Sequence, residues 1–126
     1  MITNKEKKKK RILVCDDEES IRLLLNETLG DWYDIIEAQD GREAVAKVTK
    51  EPFDLLIIDI KMPGTHGLEA IERIRERNKT IPIVICSAYR LMEDDIMVKT
   101  SDVAAFITKP MDLKALKTKI FELLGD

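Results

Sequence analysis

Phe53-Asp54-Leu55-Leu56-Ile57-Ile58-Asp59 (FDLLIID) is the stretch that decides the fold. From Phe53 to Ile58 it is apolar except at Asp54, without the polar alternation of a half-exposed strand. That is the pattern of a strand covered on both faces, as in parallel sheets. Glu51-Pro52 ends the helical pattern before it, and Lys61-Met62-Pro63-Gly64 is a loop after it. Asp59 therefore stands at the carboxyl end of a central strand.

Working outward, the same unit recurs. Ile12–Cys15 is a short apolar run ending in Asp16-Asp17. A helix follows, with Ile21, Leu24, Leu25, Thr28 and Leu29 as its apolar stripe and Gly30 in the position of a C′ glycine. Tyr33–Ala38 reads as a second strand. Asp40, with Glu43 three residues on, resembles a capping box and opens a helix carrying Ala44, Val45 and Val48. Leu68, Ile71 and Ile74 mark a third helix, and Ile81–Cys86 a fourth strand ending at Ser87. Residues 91–100 predict a weak acidic helix, and Ala104–Thr108 a fifth strand ending at Lys109-Pro110. Asp112 N-caps a last helix with Leu113, Leu116, Ile120, Leu123 and Leu124 on one face. Five strand–helix alternations predict an α/β domain, a doubly wound parallel sheet with helices on both faces. Right-handed crossovers then bring all strand C-termini to one edge.

Composition narrows the function classes. The 126 residues carry a net charge of −3, but residues 1–11 are +5 and residues 12–126 are −8. The expected organisation is a basic leader over residues 1–10 and one domain over 11–126. The longest apolar run is five residues, Val103 to Ile107, far short of the ~20 that span a membrane. The acidic body argues against direct nucleic-acid binding. One His and two distant Cys cannot furnish a tetrahedral zinc site. Neither a secretory signal nor a disulfide pair is expected, so a cytoplasmic protein with reduced thiols at Cys15 and Cys86 is.

The strand ends carry chemistry. Ligands of open α/β sheets bind outside the carboxyl ends of the strands. Asp16, Asp17, Asp59, Ser87 and Lys109 would meet there, although they are scattered over 94 residues. Clustered carboxylates repel unless a cation joins them. Hard oxygen donors with spare positions suit Mg2+. A carboxylate can be a nucleophile and become an aspartyl phosphate. Taken singly, Asp17 can be read as a helix N-cap, while Ser87 reads first as a turn residue and Lys109 as a solvated charge; four strand ends carrying compatible groups favour a site.

Four segments then carry a family resemblance: ILVCDDE (12–18), LLIIDIKMPGTHG (55–67), IPIVICSA (81–88) and FITKP (106–110). In this order they resemble the receiver domain of response regulators of two-component signalling, over about residues 11–124. SIRLLLNE (20–27) is also similar to the first helix of stand-alone phosphorelay receivers. The resemblance implies a flavodoxin-like (βα)5 fold with strand order 2-1-3-4-5. It implies that Asp59 accepts a phosphoryl group. Asp16, Asp17, Asp59 and the Lys61 carbonyl would hold Mg2+, and Ser87 and Lys109 would contact the phosphoryl oxygens. Lys109 would pair with Asp59 beforehand, and Lys109-Pro110 would be cis. Ser87 and Phe106 would form a switch acting on the surface of residues 91–100, the fifth strand and the last helix.

The implied partners are a sensor histidine kinase or histidine phosphotransferase and a downstream protein target, with Ile21, Leu23, Leu24, Pro110 and Met111 as the docking residues. Leu23 points away from the apolar stripe, so edge packing and an exposed contact both stand open for it. His66, Asp102 and Met111 depart from common family residues without touching the acid pocket. Two rivals remain: a phosphorylation-independent interaction module, and an aspartate-nucleophile phosphatase, which would carry its nucleophile after the first strand and need a cap domain. The chain reads as a complete single-domain regulator; a piece of a longer regulator with an output domain is the alternative.

Overall fold

The computed structural model describes residues 9–60, 67–87 and 103–125. Five strands, β1 (Arg11–Cys15), β2 (Asp34–Ala38), β3 (Leu55–Ile58), β4 (Ile83–Ser87) and β5 (Ala105–Thr108), form one sheet in the order β2-β1-β3-β4-β5. All four pairings are parallel. Among the described residues there are four helices, α1 (Glu19–Leu29), α2 (Gly41–Lys50), α3 (Gly67–Arg77) and α4 (Leu113–Leu124). This is the doubly wound parallel sheet that the alternation predicts, in the flavodoxin-like strand order that the resemblance implies. The helix expected over residues 91–100 lies outside the described residues.

The sheet's two faces build two cores. Leu13, Cys15, Leu56, Ile58, Ile83 and Ile85 pack with Ala44 of α2 and with Leu68, Ile71 and Ile74 of α3. The alternate residues Ile12, Val14, Leu55, Ile57, Val84 and Cys86 pack with Leu25 and Leu29 of α1 and with Leu116, Ile120 and Leu124 of α4. Period-two alternation sends neighbouring side chains to opposite faces, so a strand with helices on both sides is apolar throughout. All four residues of β3 are buried, each worth about 1.5–3 kcal/mol of transfer free energy. Cys15 and Cys86 fall on opposite faces and are both free and buried.

The caps follow the expected chemistry in two places. The Glu43 N–H donates to Asp40 Oδ1 at 2.9 Å, while Glu43 Oε1 accepts from the Gln39 N–H at 2.6 Å, one residue earlier than in the usual box. The Ala115 N–H donates to Asp112 Oδ1 at 3.1 Å.

Elsewhere the structure corrects the expectation. Gly30 is no left-handed C′ glycine: its φ is −64°, and its N–H closes on the Asn26 carbonyl. Asp17 is not an N-cap, since Glu18 takes that place without a side-chain hydrogen bond. The buried stripe of α1 is Arg22, Leu25 and Leu29, with Leu24 turned outward. Lys9 and Lys10 already touch the body: their ammonium groups donate to the carbonyls of Gly30, beyond the end of α1, and Leu124, at the end of α4. Such contacts suit the negative pole of a helix C-terminus.

Candidate functional site

At the carboxyl edge, the backbone pairing continues one bond past the strands. The Asp16 N–H donates to the Ala38 carbonyl at 3.1 Å and the Asp59 N–H to the Cys15 carbonyl at 3.0 Å. The Lys109 N–H donates to the Ser87 carbonyl at 2.9 Å. Strand order thus sets Asp59 against the end of β1, and Lys109 against the end of β4. The Lys109-Pro110 peptide is cis, as the resemblance implies.

Side chains then converge. Lys109 Nζ donates to Asp16 Oδ2 at 2.7 Å and to Asp59 Oδ2 at 3.0 Å. The Glu18 carboxylate stands 3.7 Å from the same ammonium. Asp16 and Asp59 are buried, at 2% and 6% exposure, and Ser87 is fully buried. Burial works against the Lys109 charge, but its hydrogen bonds to Asp16 and Asp59, with their charges, outweigh that and hold it well above the usual lysine range. Burial raises the Cys86 thiol to about 12, although the Lys109 charge pulls it down. Burial also pushes the Cys15 thiol up, and the charges of Asp16, Asp40, Glu43 and Asp59 add to the effect.

The donor set also suits a cation. One carboxylate oxygen from each of Asp16, Asp17 and Glu18 lies within 4.8 Å of the others. Asp16, Glu18 and Asp59 lie around the Lys109 ammonium, with Asp17 beside them, so among the described residues the acids outnumber the cation they pair with. Surplus negative charge carried by hard oxygen donors fits Mg2+, which accepts a few carboxylates and fills its remaining positions with water or phosphate.

Among residues singled out in the sequence, Asp16, Asp59, Ser87 and Lys109 gather at one edge, with Asp17 exposed beside them. Phe106 lies in β5, half-buried against the α2/α3 core and paired with Ile85. Leu23 is 57% exposed and Leu24 36%, so Leu23 is not packed at an edge. Ile21 and Met111 are partly buried against the α1/α4 core, and Pro110 is exposed. Lys61, His66 and Asp102 lie outside the described residues.

Two side chains close to the acid cluster escaped the sequence reading. Glu18 joins the acid cluster, and the run Asp16-Asp17-Glu18 was the available signal. Arg22 is buried at 7% exposure, donating to the Asp16 carbonyl at 2.6 Å and to Glu37 Oε1 at 2.9 Å. Its spacing to Leu25 and Leu29 is helical, but an apolar count passes over a charged residue.

The family model for the response regulator receiver domain matches residues 12–121. The chain belongs to this family. The receiver domain is similar to sporulation initiation phosphotransferase F of Bacillus subtilis, at 32% identity over 117 residues, covering 90% of this chain and 93% of that protein. It is 34% identical to the response regulator protein PilR of Pseudomonas aeruginosa over 110 residues, which is 86% of this chain but 25% of PilR. Several such relatives are therefore much longer than this receiver domain. Among solved structures, the response regulator TrrA from Thermotoga maritima, in complex with Mg2+-BeF, shares 39% identity with a TM-score of 0.84, over 91% of this chain and 99% of that one. Chemotaxis protein CheY4 of Vibrio cholerae shares 31% identity with a TM-score of 0.85, over 92% and 99%. Receiver domains take phosphoryl groups from sensor kinases or phosphotransferases and bind Mg2+ at an acidic pocket. No helix among the described residues is long and apolar enough to cross a membrane.

Proposed function

We propose that this receiver domain accepts a phosphoryl group on Asp59 from a phosphohistidine of a sensor histidine kinase or histidine phosphotransferase, as a signalling switch or phosphorelay intermediate in the cytoplasm. The observation that carries this reading is the Lys109 ammonium, within 2.7 Å of Asp16 and 3.0 Å of Asp59 at the strand ends. An Asp59 carboxylate oxygen attacks phosphorus. The P–N bond breaks, its electron pair stays on the imidazole nitrogen, which takes up a proton, and a mixed anhydride forms on Asp59. Lys109 gives up its bond to the attacked carboxylate and turns to the phosphoryl oxygens, so no solvent has to reorganise around the new charge. Asp17 and Asp59, with the Lys61 carbonyl, would hold Mg2+ directly and Asp16 through a water or as a weaker ligand; the ion would supply positive charge that screens the acceptor and the transferred group.

The Ser87 hydroxyl then moves to the phosphoryl group and Phe106 turns into the space it leaves. That alters the surface of β5, α4 and residues 91–100, which a downstream protein reads. Such a switch works only because one state binds the phosphoryl group better than the other. The docking face for the phosphohistidine partner is Ile21, Leu23 and Leu24 of α1 with Pro110 and Met111, supported by the exposure of Leu23 and Leu24. The chain promotes only its own phosphorylation and dephosphorylation and turns over no separate substrate.

Incubation with acetyl phosphate and Mg2+, followed by intact-mass measurement, tests this reading. Wild type gains one phosphoryl group and Asp59→Asn does not. Equal gain by Asp59→Asn would show the acceptor to be another residue. Absence of any gain would leave the phosphorylation-independent module.

A further inference from the structure

We infer that Arg22 is a positioning residue for the acidic pocket: its buried guanidinium sets the Asp16–Asp17 peptide and thereby the capacity of the two acids to hold Mg2+. This role presupposes the Mg2+-dependent acceptor site proposed above.

Arginine is rarely buried unless its donors are satisfied. Arg22, on the sheet-facing side of α1, is 7% exposed, and two of its donors are already spent. Nη1 donates to the Asp16 carbonyl at 2.6 Å, and Nε to Glu37 Oε1 on β2 at 2.9 Å. The planar fork of the guanidinium makes the two contacts interdependent: Glu37 steadies one side while the other holds the carbonyl. The Asp16 N–H is held by the Ala38 carbonyl at 3.1 Å. The residue is thus gripped on both of its peptide groups.

The consequence falls on two side chains. For Asp16, a fixed backbone keeps Oδ1 on the Glu18 N–H at 2.9 Å and Oδ2 on Lys109 at 2.7 Å. For Asp17, the carbonyl that Arg22 holds belongs to the peptide leading into it. Asp17 is exposed, so its carboxylate is aimed by its backbone and not by surrounding packing. Groups that orient metal ligands from behind commonly matter nearly as much as the ligands. Arg22 acts on the carbonyl and not on the phosphoryl group, so its loss should appear in metal affinity before it appears in chemistry.

The test is Mg2+ binding alone, by isothermal titration calorimetry on the full chain, beside thermal unfolding and the Mg2+ dependence of the acetyl phosphate reaction. Arg22→Met should weaken Mg2+ binding about tenfold and raise the Mg2+ needed for half-maximal phosphorylation by the same factor, with the rate at saturating Mg2+ little changed. Glu37→Gln removes the ion pair but leaves an oxygen to accept from Nε, and should stay within about twofold of wild type. A merely structural Arg22 would lower the unfolding temperature in both variants without shifting Mg2+ affinity.

Arg22→Met binding Mg2+ within about twofold of wild type would overturn the proposal. If Arg22→Met does not fold, Arg22→Lys replaces it. One ammonium cannot serve Glu37 and the Asp16 carbonyl in the same fork, so about threefold weaker binding is expected and unchanged binding overturns the role. Wild type that binds no Mg2+ would instead overturn the site reading beneath it.

Discussion

Gly67 offers the sharpest perturbation of the backbone at Asp59, the proposed acceptor. It opens α3 directly over the end of β3, and its N–H donates to the Ile60 carbonyl at 3.2 Å. A Cβ built on Gly67 would stand 2.3 Å from Ile60 Cα, 2.7 Å from the Asp59 carbonyl oxygen and 2.9 Å from the Ile60 carbonyl carbon. Carbon atoms pack comfortably at roughly 3.5–4 Å, so α3 and the Asp59–Ile60 backbone must part by about 1 Å. No rotamer change relieves this, because all three obstacles are backbone atoms of buried residues. Overpacking of this kind costs about 1–3 kcal/mol, and a rigid backbone obstacle argues for the upper half of that range. The displacement falls on Asp59, the proposed phosphoryl acceptor, where about 1 Å of misplacement costs on the order of a hundredfold in rate. Urea unfolding measures the first quantity. The rate of mass gain with acetyl phosphate at saturating Mg2+ measures the second. Gly67→Ala is expected to lose about 2–3 kcal/mol and to react about a hundredfold more slowly. A variant with the wild-type urea midpoint and a rate within about threefold of wild type would refute the steric reasoning.

Two further outcomes follow from burial. Leu23 is 57% exposed, so Leu23→Glu should change stability by no more than about 0.5 kcal/mol. Phosphotransfer to it from a phosphohistidine partner should nevertheless slow about tenfold while acetyl phosphate reacts normally, as expected of a docking anchor; equal loss with both donors would place Leu23 outside the interface. The Cys86 thiol rises from 9.0 to about 12 through burial. A group with a raised folded pKa contributes its full stability below the unfolded value and loses it as pH climbs through the folded one. Stability should therefore fall between pH 9.0 and about 12, and Cys86→Ala should flatten that slope relative to wild type in urea unfolding at stepped pH. An unchanged slope would remove Cys86 from the pH dependence.

The fold was legible because its signals are local. The unbroken apolarity of Leu55–Ile58, the caps at Asp40 and Asp112, and the Asp, Ser and Lys standing after the apolar runs can all be read within a few residues. Period-two and helical spacing record which positions are buried, and crossover handedness then places the strand ends on one edge. Thus Asp16, Asp59, Ser87 and Lys109 could be grouped from sequence, and so could Pro110 as a cis residue through the family resemblance. Gly30 shows the limit of local reading, since a glycine at a helix end permits a left-handed turn but does not require one, and here its φ is −64°.

What the sequence determined by itself was the order of elements, the residues at each strand end and the surplus of negative charge that calls for a cation. The tertiary structure decided who meets whom. Lys109 pairs with Asp16 at 2.7 Å as well as with Asp59, and Glu18 joins the acids. Arg22 goes inward to hold the Asp16 carbonyl, while Leu24 turns out to solvent. The physical reason is that hydropathy is a property of one residue, whereas an ion pair or a buried guanidinium needs a partner at a set distance. That distance comes from strand order and register, which join residues 93 positions apart such as Asp16 and Lys109.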